Sequence, residues 1–292
     1  MTTRELSGSP AMLPLYAKAL GPALPVVGGL PGVRRTGDAL PDLELVRRGV
    51  TTDPDRLAAY STVCGFGVPR VLPATYPHIL AFPLHLALMT DGAFPFAPMG
   101  IVHVENQITQ HRPIGLDEAL DLRVWAADLR PHARGRQFDL VSEASVGGEV
   151  VWRDVSTMLR RGRGESATAP ASALADVVAP AGATRWRVAG DLGRRYSGVS
   201  GDRNPIHLYG VTAKALGFPR QIAHGMWSKA RCLAELAPRL PDAYSVTVAF
   251  KKPVLLPGTV AFGAVSSGDG WLFGLGDADR DVPHLVGTAQ PV

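Results

Sequence analysis

The stretch YSGVSGDRNPIH, residues 196–207, recurs in weakened form as YSTVCGFGVP at 60–69. Tyr, Ser, Val, Gly and Pro occupy matching places without a gap. Two further pairs follow in the same order. ILAFPLHLALM (79–89) parallels QIAHGMWSKAR (221–231), each a stretch of helical length, and HRPI (111–114) parallels KKPV (251–254), each opening an extended segment. Three matches in one order indicate a duplicated unit.

Working outward from these pairs, each unit reads as a helical stretch, a loop, a longer helix and then strands. In the second unit Ala223–Leu236 has little internal polarity and predicts a buried helix. After it come YSVTVAFKKPV (244–254), TVAFGAVSS (259–267), GWLFGLGDA (270–278) and HLVGTAQPV (284–292), separated by turn signals. The first unit repeats this with segments at 100–110, 120–129, 136–146 and 149–159, the last two joined by Gly147-Gly148 as a tight hairpin. A buried helix followed by hairpin-joined strands implies an antiparallel sheet wrapped around that helix, an α+β arrangement.

The length of 292 residues favours two domains. A boundary is expected at ESATAPASALADVVAPAGAT (165–184), which offers little to a core and reads as a linker. It separates residues 1–164 from residues 185–292. Hydrophobic content of 46% with 19% charged residues describes a globular chain, and a net charge of +4 suits an anionic small molecule but not nucleic acid. Cys64 and Cys232 are the only cysteines, so neither a disulfide framework nor a zinc finger is expected, and a reducing compartment follows. The apolar stretch Ala11–Leu30 is broken by Lys18 and by Pro14, Pro22 and Pro25, which argues against a signal peptide or a membrane span and for the cytoplasm.

Asp202 and His207 are five residues apart, which puts them about 140° apart on a helix and on opposite faces of a strand. A turn brings them together instead. Pro205 drives Asn204 out of the helical region and suits the first position of a helix, so Asn204 is the expected N-cap with His207 in the first turn. Gly201, after Ser200, permits close backbone approach. A carboxylate and an imidazole meeting at one water can move protons in both directions. The competing explanation is a capped polar turn with an incidental histidine. The duplicate separates the two: Phe66 stands in place of Asp202 and Val68 in place of Asn204, yet the frame survives. Residues needed only to build the turn belong in both copies.

IAHGM (222–226) opens the expected buried helix, where the first N–H groups lack intrahelical partners. The Gly225 N–H can therefore receive a developing oxyanion, unless the glycine serves helix–sheet packing. By this alignment Pro83, which has no N–H, replaces it in the first copy. His224 either orients the site or is a satisfied core residue. Tyr196 recurs as Tyr60, which points to packing. Lys214, Arg220, Lys251 and Lys252 can meet phosphates, although solvated surface is the usual fate of such residues. The spacing of Asp202, His207 and His224 fits no specific metal pattern, and no metal is expected.

YSGVSGDRNPIHLYGVTA (196–213), with GFPRQIAHGM (217–226) and FKKPVLLPG (250–258), resembles the hydratase-2 motif of the MaoC-like family of (R)-specific enoyl-CoA hydratases and hydroxyacyl-thioester dehydratases. The resemblance covers most of 188–292, and the first half looks like the degenerate partner of long members. It implies a double hot dog fold, two antiparallel sheets each wrapped around a central helix, forming a pseudo-dimer in one chain. It further implies Asp202 and His207 as the catalytic pair, Gly225 as oxyanion donor and Asn204 as a shaping residue. Ser200, Gly201, His224, Lys251 and Lys252 are the expected substrate-binding residues. A serine that some members carry falls at Leu233 here. The implied reaction is reversible hydration of trans-2-enoyl-CoA to (R)-3-hydroxyacyl-CoA, with the CoA thioester as substrate and no other cofactor. Alternatives are a dehydratase acting on acyl-ACP and a non-catalytic acyl-thioester binding module. Assembly as a homodimer of double hot dog chains is left open.

Overall fold

The expected strand periodicity is realised in a computed structural model that describes residues 1–21, 37–162, 164 and 172–292. In the first half β1 (Thr2–Glu5) and α1 (Met12–Leu20) precede β2 (Leu43–Val50), α2 (Pro54–Cys64) and α3 (Tyr76–Met89). Then come β3 (Ile101–Gln110), β4 (Leu120–His132), β5 (Gly135–Val146) and β6 (Glu149–Arg161). The second half runs β7 (Thr184–Val188), α4 (Leu192–Ser200), α5 (Pro205–Leu208), α6 (Gly210–Ala215) and α7 (Gly225–Leu236), then β8 (Tyr244–Phe250), β9 (Gly258–Ser267), β10 (Gly270–Asp277) and β11 (Pro283–Pro291).

Alternation decides which face of each strand is inside. Leu120, Leu122 and Val124 of β4, and Val246 and Val248 of β8, are fully buried, while the residues between them face outward or sit at intermediate depth. Gly147 and Gly148, both at positive φ, make the expected tight turn between β5 and β6. The apolar sequence of α3 is buried almost all round, as is the inner face of α7.

The two sheets expected from sequence are joined edge to edge. The order is β1-β2-β4-β5-β6-β3-β8-β11-β10-β9-β7, one eleven-stranded sheet. Its seam is the antiparallel pair β3–β8, running from Glu105 opposite Ala249 to Gln110 opposite Tyr244. Lys229 pins α7 to this seam. Fully buried, it donates to the carbonyl and Oδ1 of Asn106 on β3 and to the Val246 carbonyl on β8. Burial pulls its pKa down to about 7, and Asp154 opposes that shift.

Two expectations are corrected. Residues 165–171 of the anticipated linker lie outside the described residues, but 172–183 does not behave as a free tether. Leu174 is buried against Ala249 and Val286, because one large apolar side chain in an Ala/Pro-rich run suffices to anchor it on the sheet. The pairing of the two central helices also shifts. Val71 bridges Gly115 as Ile222 bridges Leu255, so Val71, not the vicinity of Ile79, is the counterpart of Ile222. Pro83 accordingly lies inside α3, past its first turn, whereas Gly225 opens α7. The apolar character of α3 left the register of the two helices unmarked in the sequence.

Lys229→Met removes the buried donor that Asn106 Oδ1 and two strand carbonyls share. Urea unfolding should show a loss of about 1–3 kcal/mol, the cost of leaving one buried polar group unsatisfied.

Candidate active site

Helix α4 ends at Ser200 because Gly201 takes up φ 81°, its N–H still bonding the Ser197 carbonyl at 3.0 Å. Gly65 ends α2 in the same way, so the two copies share this frame. From here they diverge. Ser197 Oγ donates to the Asp202 carbonyl at 2.6 Å, and the Asp202 N–H donates to Ser200 Oγ at 3.1 Å. Asp202 Oδ1 accepts the Asn204 N–H at 3.1 Å. Asn204 caps α5 as expected, its side chain accepting the Ile206 N–H, with Pro205 at the first position.

His207 therefore sits in a single helical turn, and α4 lies directly beneath it. A Cβ on Gly193 would come within 1.9 Å of the His207 carbonyl oxygen, so only glycine permits this packing. His207 Nδ1–H donates to the Ile222 carbonyl at 2.8 Å. Nε2 is then the nitrogen with the lone pair.

His224 is the N-cap residue of α7. Its Nε2–H donates to the Asp202 carbonyl at 3.0 Å and lies 3.8 Å from Asp202 Oδ2. Because Nε2 carries the hydrogen, Nδ1 is a lone-pair acceptor, buried and without a partner among the described residues. The His207 and His224 rings stack with centroids 3.7 Å apart and planes 26° apart. One ligand-type atom from each of Asp202, His207 and His224 lies within 4.8 Å of the others, so one water can reach the carboxylate and an imidazole together.

Electrostatics fix the charge states. Burial lowers the pKa of His207, with Asp202 opposing; burial and the stacked His207 lower that of His224 to about 3. Burial works against the Asp202 carboxylate, but His224, His207 and the Asn204 N–H together hold its pKa below the ordinary value. At neutral pH the site is one carboxylate beside two neutral imidazoles.

Gly225 is the first residue of α7, where a backbone N–H has no intrahelical acceptor, and no side-chain cap covers this helix end. The Phe250 ring packs so closely on it that a Cβ there would meet it at 3.0 Å. Both the oxyanion and the packing reading of Gly225 thus have a physical basis. Of the two expected lysines, Lys251 is already taken: Nζ donates to the Leu174 and Ala175 carbonyls at 2.5 and 2.7 Å. Lys252 is exposed at the cavity rim. Leu233 is buried in the core, so no hydroxyl stands at that place. Tyr196 and Tyr60 are both buried with ring centroids 6.2 Å apart, in line with packing.

Tyr16 of α1 was not legible beforehand. Its hydroxyl donates to the Gly201 carbonyl at 3.0 Å, accepts the Arg203 N–H at 2.5 Å and lies 3.4 Å from Asp202 Oδ1. It clamps the Gly201–Arg203 loop from a segment more than 180 residues away in sequence, and nothing in its apolar neighbourhood marks it.

A cavity of about 280 Å³ joins these groups to the other half of the chain. Asp202, His207 and Gly225 line it from one side, and Ile79, Phe82 and Leu86 of α3 from the other.

Residues 182–285 match the MaoC like domain. Over 267 residues the chain is 41% identical to 3-hydroxyacyl-thioester dehydratase X of Mycobacterium tuberculosis, covering 90% of this chain and 94% of that protein. The chain belongs to the MaoC-like dehydratases. The crystal structure of the M. tuberculosis protein, HtdX, superposes with a TM-score of 0.76 at 39% identity, over 85% of this chain and all of that one. A MaoC-like dehydratase from Phytophthora capsici matches at TM-score 0.71 and 18% identity, over 90% of this chain and 98% of the other. A further M. tuberculosis protein with a double hot dog fold matches at TM-score 0.50 and 16% identity, over 83% and 93%. These last two speak to the fold alone, which is the double hot dog.

Tyr16→Phe releases the loop from its clamp while leaving the ring in place. Steady-state kinetics should show turnover lowered about tenfold, the worth of about one to two hydrogen bonds, with little change in the unfolding midpoint.

Proposed function

We propose that the protein catalyses the reversible syn hydration of a trans-2-enoyl thioester to an (R)-3-hydroxyacyl thioester in the cytoplasm, with CoA as the carrier. The observation that carries this reading is the meeting of the Asp202 carboxylate and the unprotonated His207 imidazole on one cavity that Gly225 also lines. The named activity of the M. tuberculosis relative points the same way.

In the hydration direction Asp202 orients a water and His207 Nε2 takes one of its protons as the oxygen adds to C3. The electron pair moves through C2 to the thioester oxygen, which the Gly225 N–H stabilises, a contribution typically about 3 kcal/mol per donor. The proton on His207 then returns to C2 on the same face, closing the balance. His224 Nδ1, a buried acceptor without a partner, is suited to the hydroxyl of the product or to the water. Dehydration runs the same steps backwards.

The chemistry is assigned to residues 185–292. Residues 1–164, which lack the polar trio, supply the α3 wall of the acyl cavity. Lys252 at the rim is the residue best placed for a carrier phosphate; Lys251, bound to main-chain carbonyls, is better read as an anchor for the 174–175 segment.

Loss of the enoyl absorbance on adding a trans-2-enoyl-CoA, with chiral analysis of the product, tests this reading. Asp202→Asn and His207→Ala should each lower the rate by about two or more orders of magnitude while the fold is kept. Tight binding without loss of absorbance would instead mark a binding module.

The pH profile follows from the charge states. The pair works with His207 neutral and Asp202 ionised, and both pKa values lie below their ordinary ones. Activity should therefore hold from neutral pH to below about 6.5, the usual imidazole value, and fall only on further acidification as the pair takes up a proton. An acid limb centred above that value would contradict the assignment.

A further inference from the structure

The first half of the chain contributes an unexpected wall to the cavity. His78 and His85 of α3 and His103 of β3 all line it, although an alkyl chain has no use for imidazoles and burying polar groups is costly. The three rings form a cluster: His78 lies 5.2 Å from His85 and 6.3 Å from His103 between centroids.

Two of the three are fixed from behind. His78 Nδ1–H donates to Asp154 Oδ2 at 2.6 Å, and Asp154 also accepts from Asn106 Nδ2 at 2.8 Å and Ser156 Oγ at 2.9 Å. That carboxylate holds the imidazole much as a general-base orienter does, leaving Nε2 on the side away from it. His85 Nε2 pairs with Ser142 Oγ at 2.6 Å. Asn106 in turn receives Lys229, so the seam of the fold explains Asp154 and Asn106. It does not explain His103. Its Nε2 is buried and has no hydrogen-bond partner among the described residues.

The position of His103 relates this cluster to the reacting centre. Its ring lies 5.0 Å from that of Phe250, and Phe250 is the ring that packs against Gly225. One aromatic side chain therefore separates the place of the thioester oxygen from the histidine wall. Burial and neighbouring His78 lower the pKa values of both His85 and His103 to about 3, so these two offer neutral donor and acceptor nitrogens and no charge.

We propose that His103, backed by His78 and His85, is a subsite for a hydroxyl on the acyl chain, making hydroxylated enoyl thioesters preferred over plain alkyl ones. A hydroxyl, both donor and acceptor, supplies the partner that His103 Nε2 lacks, whichever tautomer the ring adopts. This rests on the acyl-thioester reading above, and deepens it by naming the chain chemistry.

The test uses the full-length protein and pairs of trans-2-enoyl-CoA of equal chain length, one plain and one with a hydroxyl at successive positions from C5 outward. At one position kcat/KM should favour the hydroxylated partner about tenfold or more. His103→Phe should bring that ratio close to one, whereas His103→Gln, which keeps a polar group, should retain most of it. Because each ratio is taken within one variant, partial loss of folded protein cancels. No favoured position in the unaltered protein, or a preference that survives His103→Phe, overturns the proposal. If no enoyl-CoA is hydrated at all, the proposed reaction fails separately. Calorimetric affinities for the matched saturated acyl-CoA pairs then decide the subsite, equal affinity overturning it.

Discussion

The hydrogen bond from His207 Nδ1 to the Ile222 carbonyl ties the chemistry to the fold. Ile222 is held in turn by its bridge to Leu255, in the connection between β8 and β9, and the next residues lead into the helix tip that carries Gly225. One carbonyl thus sets the tautomer of the imidazole and is only three residues from the proposed oxyanion donor. Asp202 is placed against the same ring by its own loop: Ser197, Ser200 and Asn204 hold its backbone and carboxylate, and His224 bridges loop and helix. Among these groups only the cavity-facing atoms are left for a substrate.

Duplication explains why such a site exists once. Both copies build a helix ended by a left-handed glycine, Gly65 and Gly201, and both keep the buried tyrosine. In the first copy Phe66 replaces Asp202 and stacks near Tyr60, and Val68 replaces Asn204 and is almost fully exposed. The glycine-ended helix survives without the polar residues, but the single-turn helix α5 that Asn204 caps has no counterpart after Gly65, so the shared frame belongs to the glycine and the polar residues belong to the second copy alone. The first copy has instead become wall and clamp: α3 lines the cavity and Tyr16 holds the loop that carries Asp202.

Strands and their turns were legible because period-two burial and Gly or Pro punctuation are local. The polar trio was legible because it departs from its own duplicate. What escaped the sequence depended on distance along the chain. Short β1 and β7 are edge strands among the described residues and carry little apolar signal, β1 being wholly and β7 mostly exposed. The register between α3 and α7 could not be read because α3 is apolar almost throughout and offers no polar residue to set against those of α7, and an isolated bridge at Val71 decided it. Lys229 and Tyr16 carry no local signature: Lys229 reaches Asn106, and Tyr16 reaches Gly201, across more than 100 positions. Lys251 looked free in sequence, but its ammonium lies on two carbonyls of the segment read as a linker.

Nitrogen-15 NMR of the His207 side chain at neutral pH addresses the central claim most directly. A neutral ring protonated at Nδ1, with a pyridine-type resonance at Nε2, is the predicted result. A proton on Nε2, or an imidazolium at that pH, would contradict it.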